Sequence, residues 1–251
     1  MKGAGFALAL ACAGVVAAAL AAPRVAEDRF REGTAAINKG DLPAGIAIYR
    51  ELAASGAESA ALYWNWAQAA SARGSLGEAL WAVLRARELD PGDGAIAREA
   101  DRLRQDANLD PAEIAPEPLA GLARFERRFH VGQLALLLLA ASVVFHGIAR
   151  LRSVARWPVA AAWTSLALGL ALALVPVAAS FAAPTAVVVR RGEPLLDAAS
   201  PTANSLGTLR EGEVVLVLAE SGAHLRVRDS SGASGWVPVA GAWRLDGPPH
   251  P

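Results

Sequence analysis

Two apolar stretches, residues 131–149 and 158–183, carry almost no charge and are separated by only eight residues. At about 1.5 Å of rise per residue, either one as a helix spans a hydrocarbon core of roughly 30 Å. Backbone groups in lipid must find their partners within the segment, so a pair joined this tightly is restricted to a helical hairpin. Gln133, Ser142 and His146 are the polar interruptions of the first run, and Trp157 and Trp163 near the start of the second suit an interfacial belt. The connecting loop, 150–157, holds Arg150, Arg152 and Arg156 without an acid, which favours the cytoplasm. Arg124, Arg127 and Arg128 on the opposite flank nearly balance that bias.

The N-terminus decides the direction. Lys2, an Ala/Leu/Val run and Ala19-Leu20-Ala21 read as a signal peptide over residues 1–21, or as an uncleaved anchor. Either one exports the polar segment behind it, and a transmembrane hairpin returns the chain to the same side. Both polar pieces are therefore expected outside the cytoplasm.

The chemistry available is narrow. Lys+Arg and Asp+Glu number 24 each, so no general electrostatic case exists for nucleic acid. Cys12 is the only cysteine and lies in the export segment, which excludes an intramolecular disulfide and a thiol nucleophile. His130, His146, His224 and His250 are scattered without metal-ligand spacing. No phosphate loop or nucleophile elbow is present. The expectation is no enzyme, no cofactor and no metal. His146, inside an apolar run, is formally a functional candidate, although contact with headgroups or the second helix is the plainer role.

Residues 26–106 read as helices with short turns. Gly40-Asp41-Leu42 and Gly74-Ser75-Leu76 occupy the same place in two successive patterns, 34 residues apart. Asp90-Pro91 closes the second pattern, because Pro91 cannot continue a helix. A third helix near 94–106, charged along one side, suits the cap of a stacked array. The segment resembles the tetratricopeptide (TPR) family. Asn65, Ala67, Gly74, Ala79, Ala86 and Asp90-Pro91 stand at family positions, whereas in the first repeat Gly45 replaces the usual alanine. The resemblance implies a concave partner-binding face lined by the first helix of each hairpin. Carried over, that face comprises Phe30, Thr34, Asn38, Trp64, Gln68, Arg98 and Arg102, with Phe30, Trp64 and Arg98 in a 34-residue ladder. Arg98 and Arg102, four apart on one helix, are placed to hold a carboxylate. Solvated charges and an array edge resting on the membrane are the bland alternative.

Residues 107–130 form a Pro- and acid-rich linker followed by a basic-aromatic stretch (Phe125, Arg128, Phe129) of the kind that lies at a membrane surface. From Thr185 the pattern turns to short β-branched runs between Gly/Ser/Asp turns, at 186–189, 206–209, 214–217, 224–227 and 235–238. This suggests a small all-β barrel over 185–246. Glu211-Gly212-Glu213-Val214 and Gly235-Trp236-Val237 resemble the bacterial SH3-type (SH3b) domain, although His224 stands where that family often places a tryptophan.

The chain thus reads as a multidomain membrane protein: TPR hairpins, a two-helix transmembrane hairpin and an SH3b-like barrel. In that order it resembles the BatE family of the bacterial aerotolerance (Bat) operon. The resemblance implies a non-enzymatic scaffold of the inner membrane with both soluble domains on the periplasmic side. The implied partners are other proteins: sister Bat proteins with von Willebrand factor A domains and a MoxR-type ATPase. The alternative is a cell-wall protein that binds peptidoglycan through its SH3b-like domain.

Overall fold

The computed structural model describes residues 24–109, 119–151 and 157–249. The expected export segment at 1–21, the core of the Pro-rich linker and most of the arginine loop lie outside the described residues. Helix α1 covers residues 24–38, followed by α2 (Leu42–Ala54), α3 (Ala60–Ala72), α4 (Leu76–Leu89) and α5 (Gly94–Asp106). Helix α4 begins 34 residues after α2, and α5 begins 34 residues after α3. The caps keep the same period. Asp41 and Ser75 precede α2 and α4, while Ser59 and Asp93 precede α3 and α5 with side chains accepting from Leu62 and Ala95 amides. Gly40 and Gly74 turn the chain at φ +86° and +78°, a left-handed conformation that glycine adopts without a Cβ penalty.

Packing explains the departure in the first repeat. A Cβ on Gly45 would lie 2.4 Å from Ile37 Cγ1. A larger residue would push α1 away from α2. Tyr49, Tyr63, Trp66 and Trp81 are fully buried between the helices and fill the space that the small residues leave.

Helix α6 (Ala120–Phe129) leads through His130, in a left-handed conformation, into α7 (Val131–Leu151), and α8 (Trp157–Ala179) packs back along it. Both α7 and α8 are long and apolar enough to cross a membrane. Their contact uses small residues: Ala135 and Ala162 are buried, and a Cβ on Gly169 would lie 3.0 Å from the Leu139 side chain. Ser142 Oγ donates to the Ala162 carbonyl at 2.9 Å, so the buried hydroxyl is satisfied. Leu136, Leu137, Val143 and Leu174 point outward and are more than two-thirds exposed.

The C-terminal piece is one antiparallel sheet of seven strands: β1 (Thr185–Val188), β2 (Glu193–Leu196), β3 (Ser205–Leu209), β4 (Val214–Ser221), β5 (His224–Arg228), β6 (Ser234–Pro238) and β7 (Ala242–Arg244). The order is β3-β2-β6-β5-β4-β1-β7. Leu209 at one end and Ala242 at the other join Val188, Val215, Leu225 and Val237 in a single core, so the sheet wraps around its own apolar face. β2 and β7 have no counterpart among the strands expected from sequence. β2 reads Glu-Pro-Leu-Leu and β7 Ala-Trp-Arg, too short and too poor in β-branched residues to signal a strand.

Candidate functional site

The residues expected on the concave face fall into two groups. Phe30 stacks on Tyr49 with ring centroids 5.6 Å apart, and Thr34 Oγ1 shares a 2.8 Å hydrogen bond with the Tyr49 hydroxyl. Both are half-buried and clamp α1 onto α2. Trp64 is half-buried against the helical core, and Asn38 is exposed at the end of α1.

Gln68 and Arg102 meet on one carboxylate. Gln68 Nε2 donates to Glu99 Oε1 at 3.2 Å, and Arg102 grips the same group with Nε at 2.9 Å and Nη2 at 2.5 Å. Hydrogen bonding from Arg102 holds the Glu99 carboxyl below its usual range against an opposing effect of burial. Arg102 Nη1 also reaches Asp106 at 2.8 Å. Its charge is thus spent within α5, whereas Arg98 is exposed and forms no ion pair among the described residues. The expected Arg98–Arg102 clamp therefore has one committed member and one open one. Among the described residues, no hydrogen bond or ring contact joins the Phe30–Thr34 group to the Gln68–Arg102 group.

The sheet is docked chiefly on α4, and Trp243 also reaches Arg50 of α2 and Trp66 of α3. Trp81 Nε1 donates to the Arg244 carbonyl at 2.8 Å. Arg85 Nη1 donates to the Leu245 carbonyl at 2.7 Å, and its Nη2 pairs with Glu58 at 2.5 Å. Three indoles meet at the junction, Trp66–Trp81 at 5.2 Å, Trp81–Trp243 at 5.1 Å and Trp66–Trp243 at 6.4 Å, all edge-to-face. Val187 and Leu245 from the sheet belong to the helical core rather than to the sheet's own. A Cβ on Gly77 would lie 2.6 Å from the Val188 carbonyl oxygen, so α4 and β1 meet at backbone distance.

No protein-family model and no curated protein matches this chain. What it does must be read from its own geometry.

The junction is polar at its rim. Glu78, 5% exposed, accepts from Trp66 Nε1 at 2.9 Å, from Arg50 at 3.4 Å and from Arg73. The Arg50 guanidinium lies 5.8 Å from the Trp66 ring and 5.7 Å from that of Trp243, over both faces. Glu211 Oε1 accepts the Gly77 amide at 2.9 Å. Ser75 makes no side-chain bond to cap α4, and this carboxylate, 134 positions further on, caps the helix instead. On the other flank Tyr63 donates to Glu58 at 3.1 Å, and burial pushes its phenol well above the usual range. Trp243 and Glu78 are absent from the residues singled out by sequence, and Glu211 figures there only as part of the SH3b-like turn. A trace of the junction is nevertheless present in the five tryptophans of the polar pieces, more than two small solvated domains need.

Proposed function

We propose that this chain is a membrane-anchored, non-enzymatic scaffold of the Bat type, which holds partner proteins on the face formed by α1, α3 and α5. The observation that carries this reading is the side on which the sheet docks. It covers α4 through Trp81, Arg85 and Gly77 and reaches Arg50 of α2 through Trp243. Asn38, Gln68 and Arg98 on the alternate helices remain exposed. The 34-residue period and its repeated caps support the TPR likeness, and the wrapped antiparallel sheet supports the SH3b likeness. The apolar outer surface of α7 and α8 suits lipid better than water.

The anchor also sets the working distance. Only residues 180–184 separate α8 from β1. At roughly 3.3–3.6 Å per residue they span less than about 20 Å. The sheet and the helices fixed to it would then operate at the membrane surface, on the periplasmic side of the inner membrane.

Photo-crosslinking from position 68 in native membranes, followed by mass spectrometry, tests the partner face. Specific protein adducts that disappear in a Trp64→Ala/Arg98→Glu variant are expected. Adducts that survive the double substitution would refute this face. Alkaline phosphatase fused after Leu151 should be inactive and after Gly192 active, and activity at the first site or inactivity at the second would overturn the topology.

A further inference from the structure

We propose that the cavity at the helix–sheet junction binds a phosphate-class oxyanion, either inorganic phosphate or the phosphate group of a monoester. The cavity has a volume of about 470 Å³ and is walled by Arg50 of α2, Arg73 and Ser75 of the α3–α4 turn, Arg190 of the β1–β2 turn, and Trp243. That size falls in the range of roughly 300–1,000 Å³ found for small-molecule sites.

Charge at the cavity is unbalanced toward the positive. Arg50, Arg73 and Arg190 line it together with two acids, Glu78 and Glu211. Both acids are already engaged. The Glu78 side chain is 7% exposed and turned to Trp66, Arg50 and Arg73. Glu211 accepts from the Gly77 amide and pairs with a further arginine, Arg191, at 3.6 Å. A ligand would therefore meet guanidinium rather than carboxylate.

Donors remain unspent there. The Arg50 side chain is 43% exposed, and its guanidinium is held by the two indoles and by a single 3.4 Å contact from Nη2 to Glu78. Arg73 uses Nη2 on Glu78 and Nε on Ser75 Oγ at 3.3 Å, and no bond from its Nη1 is found among the described residues. Arg190 is exposed and forms no ion pair among the described residues. These groups come from three separate elements. A planar carboxylate satisfies one guanidinium fork, whereas a tetrahedral oxyanion offers acceptors in several directions at once. Phosphate fits that arrangement, and the Trp243 wall with the remaining volume leaves space for the organic part of a monoester.

The test uses the full chain in phosphatidylcholine nanodiscs, with inorganic phosphate, phenyl phosphate, succinate and chloride titrated by calorimetry. Saturable binding of phosphate or phenyl phosphate at one site per chain is expected, with succinate weaker by at least about ten-fold. Arg190→Gln, a substitution of an exposed residue, should weaken binding by about ten-fold while the melting temperature stays unchanged. Arg73→Gln should weaken binding likewise, with its fold checked by circular dichroism. Tighter binding of phenyl phosphate would identify a monoester as the ligand, and equal binding the free ion. Absence of saturable phosphate binding, equal affinity for succinate, or unchanged affinity in Arg190→Gln would overturn the proposal. None of these outcomes bears on the crosslinking from position 68.

Discussion

The indole N–H of Trp81 donates to the carbonyl oxygen of Arg244 at 2.8 Å, tying α4 to the last strand across 163 positions of sequence. Trp81 is fully buried, so this is a satisfied polar contact inside an apolar junction. It ties the N-terminal helices to the sheet, although α7 and α8 lie between them in the chain.

Trp81→Phe keeps an aromatic ring but removes the donor and leaves the carbonyl of Arg244 unpaired. A loss of about 1–2 kcal/mol is expected. Chemical denaturation of the detergent-solubilised chain measures it. Limited proteolysis should also release the C-terminal piece earlier than in the parent protein. Equal stability and equal protease resistance would show that the junction does not depend on this bond.

Glu78 is the carboxylate that Trp66 Nε1, Arg50 and Arg73 share. Glu78→Ala leaves a buried N–H and two guanidinium groups without this acceptor, at a cost of about 3 kcal/mol. Glu78→Gln, which retains an acceptor for the indole, should lose less. If the two variants unfold at the same denaturant concentration, charge rather than the indole bond dominates the site.

Gly45 faces Ile37 with no space for a methyl group. Gly45→Ala should destabilise the first hairpin by about 1–3 kcal/mol through overpacking, despite the better helix propensity of alanine. Adding Ile37→Val should recover part of that loss. Thermal melts of the single and double variants decide the matter, and a stabilised Gly45→Ala would contradict the packing described above.

Two acids of the C-terminal piece give opposite pH dependence. The hydrogen bond from Arg244 holds the Asp246 carboxyl below its ordinary range, with burial opposing. Its contribution is therefore present above the unfolded value and is lost as the pH falls through the folded one. Burial pushes the Glu193 carboxyl up, so the folded chain holds that proton more tightly than the unfolded chain. Stability from this group falls as the pH rises from the unfolded value through the raised one. Glu193→Gln should accordingly narrow the difference in melting temperature between pH 5 and pH 7, whereas Asp246→Asn should blunt the loss seen below pH 4. Parallel profiles in parent and variants would rule out these two groups as the source.

Local pattern was enough for much of the fold. The 34-residue spacing of Gly40 and Gly74, the stop at Pro91 and the uninterrupted apolar runs specify helices through backbone conformation and hydrophobic period, which neighbouring residues fix among themselves. The same holds for the five strands rich in Val and Leu. For the face of α1, α3 and α5, sequence assigned the helices but not the ion pairs: the hold of Glu99 and Asp106 on Arg102 depends on how the side chains settle.

Long-range pairing lay outside that reach. β2 and β7 are strands because β3, β6 and β1 offer them backbone partners, not because Glu-Pro-Leu-Leu or Ala-Trp-Arg prefers to be extended. Trp243 meets Trp81, and Glu211 caps α4, only because the sheet docks on the helices. Such contacts join residues more than a hundred positions apart, and no periodicity within a segment encodes them. Secondary structure and membrane-length spans thus come from the order of residues alone, through local sterics and hydrophobicity. The junction and its arginine-walled cavity exist only once distant surfaces exclude water from each other.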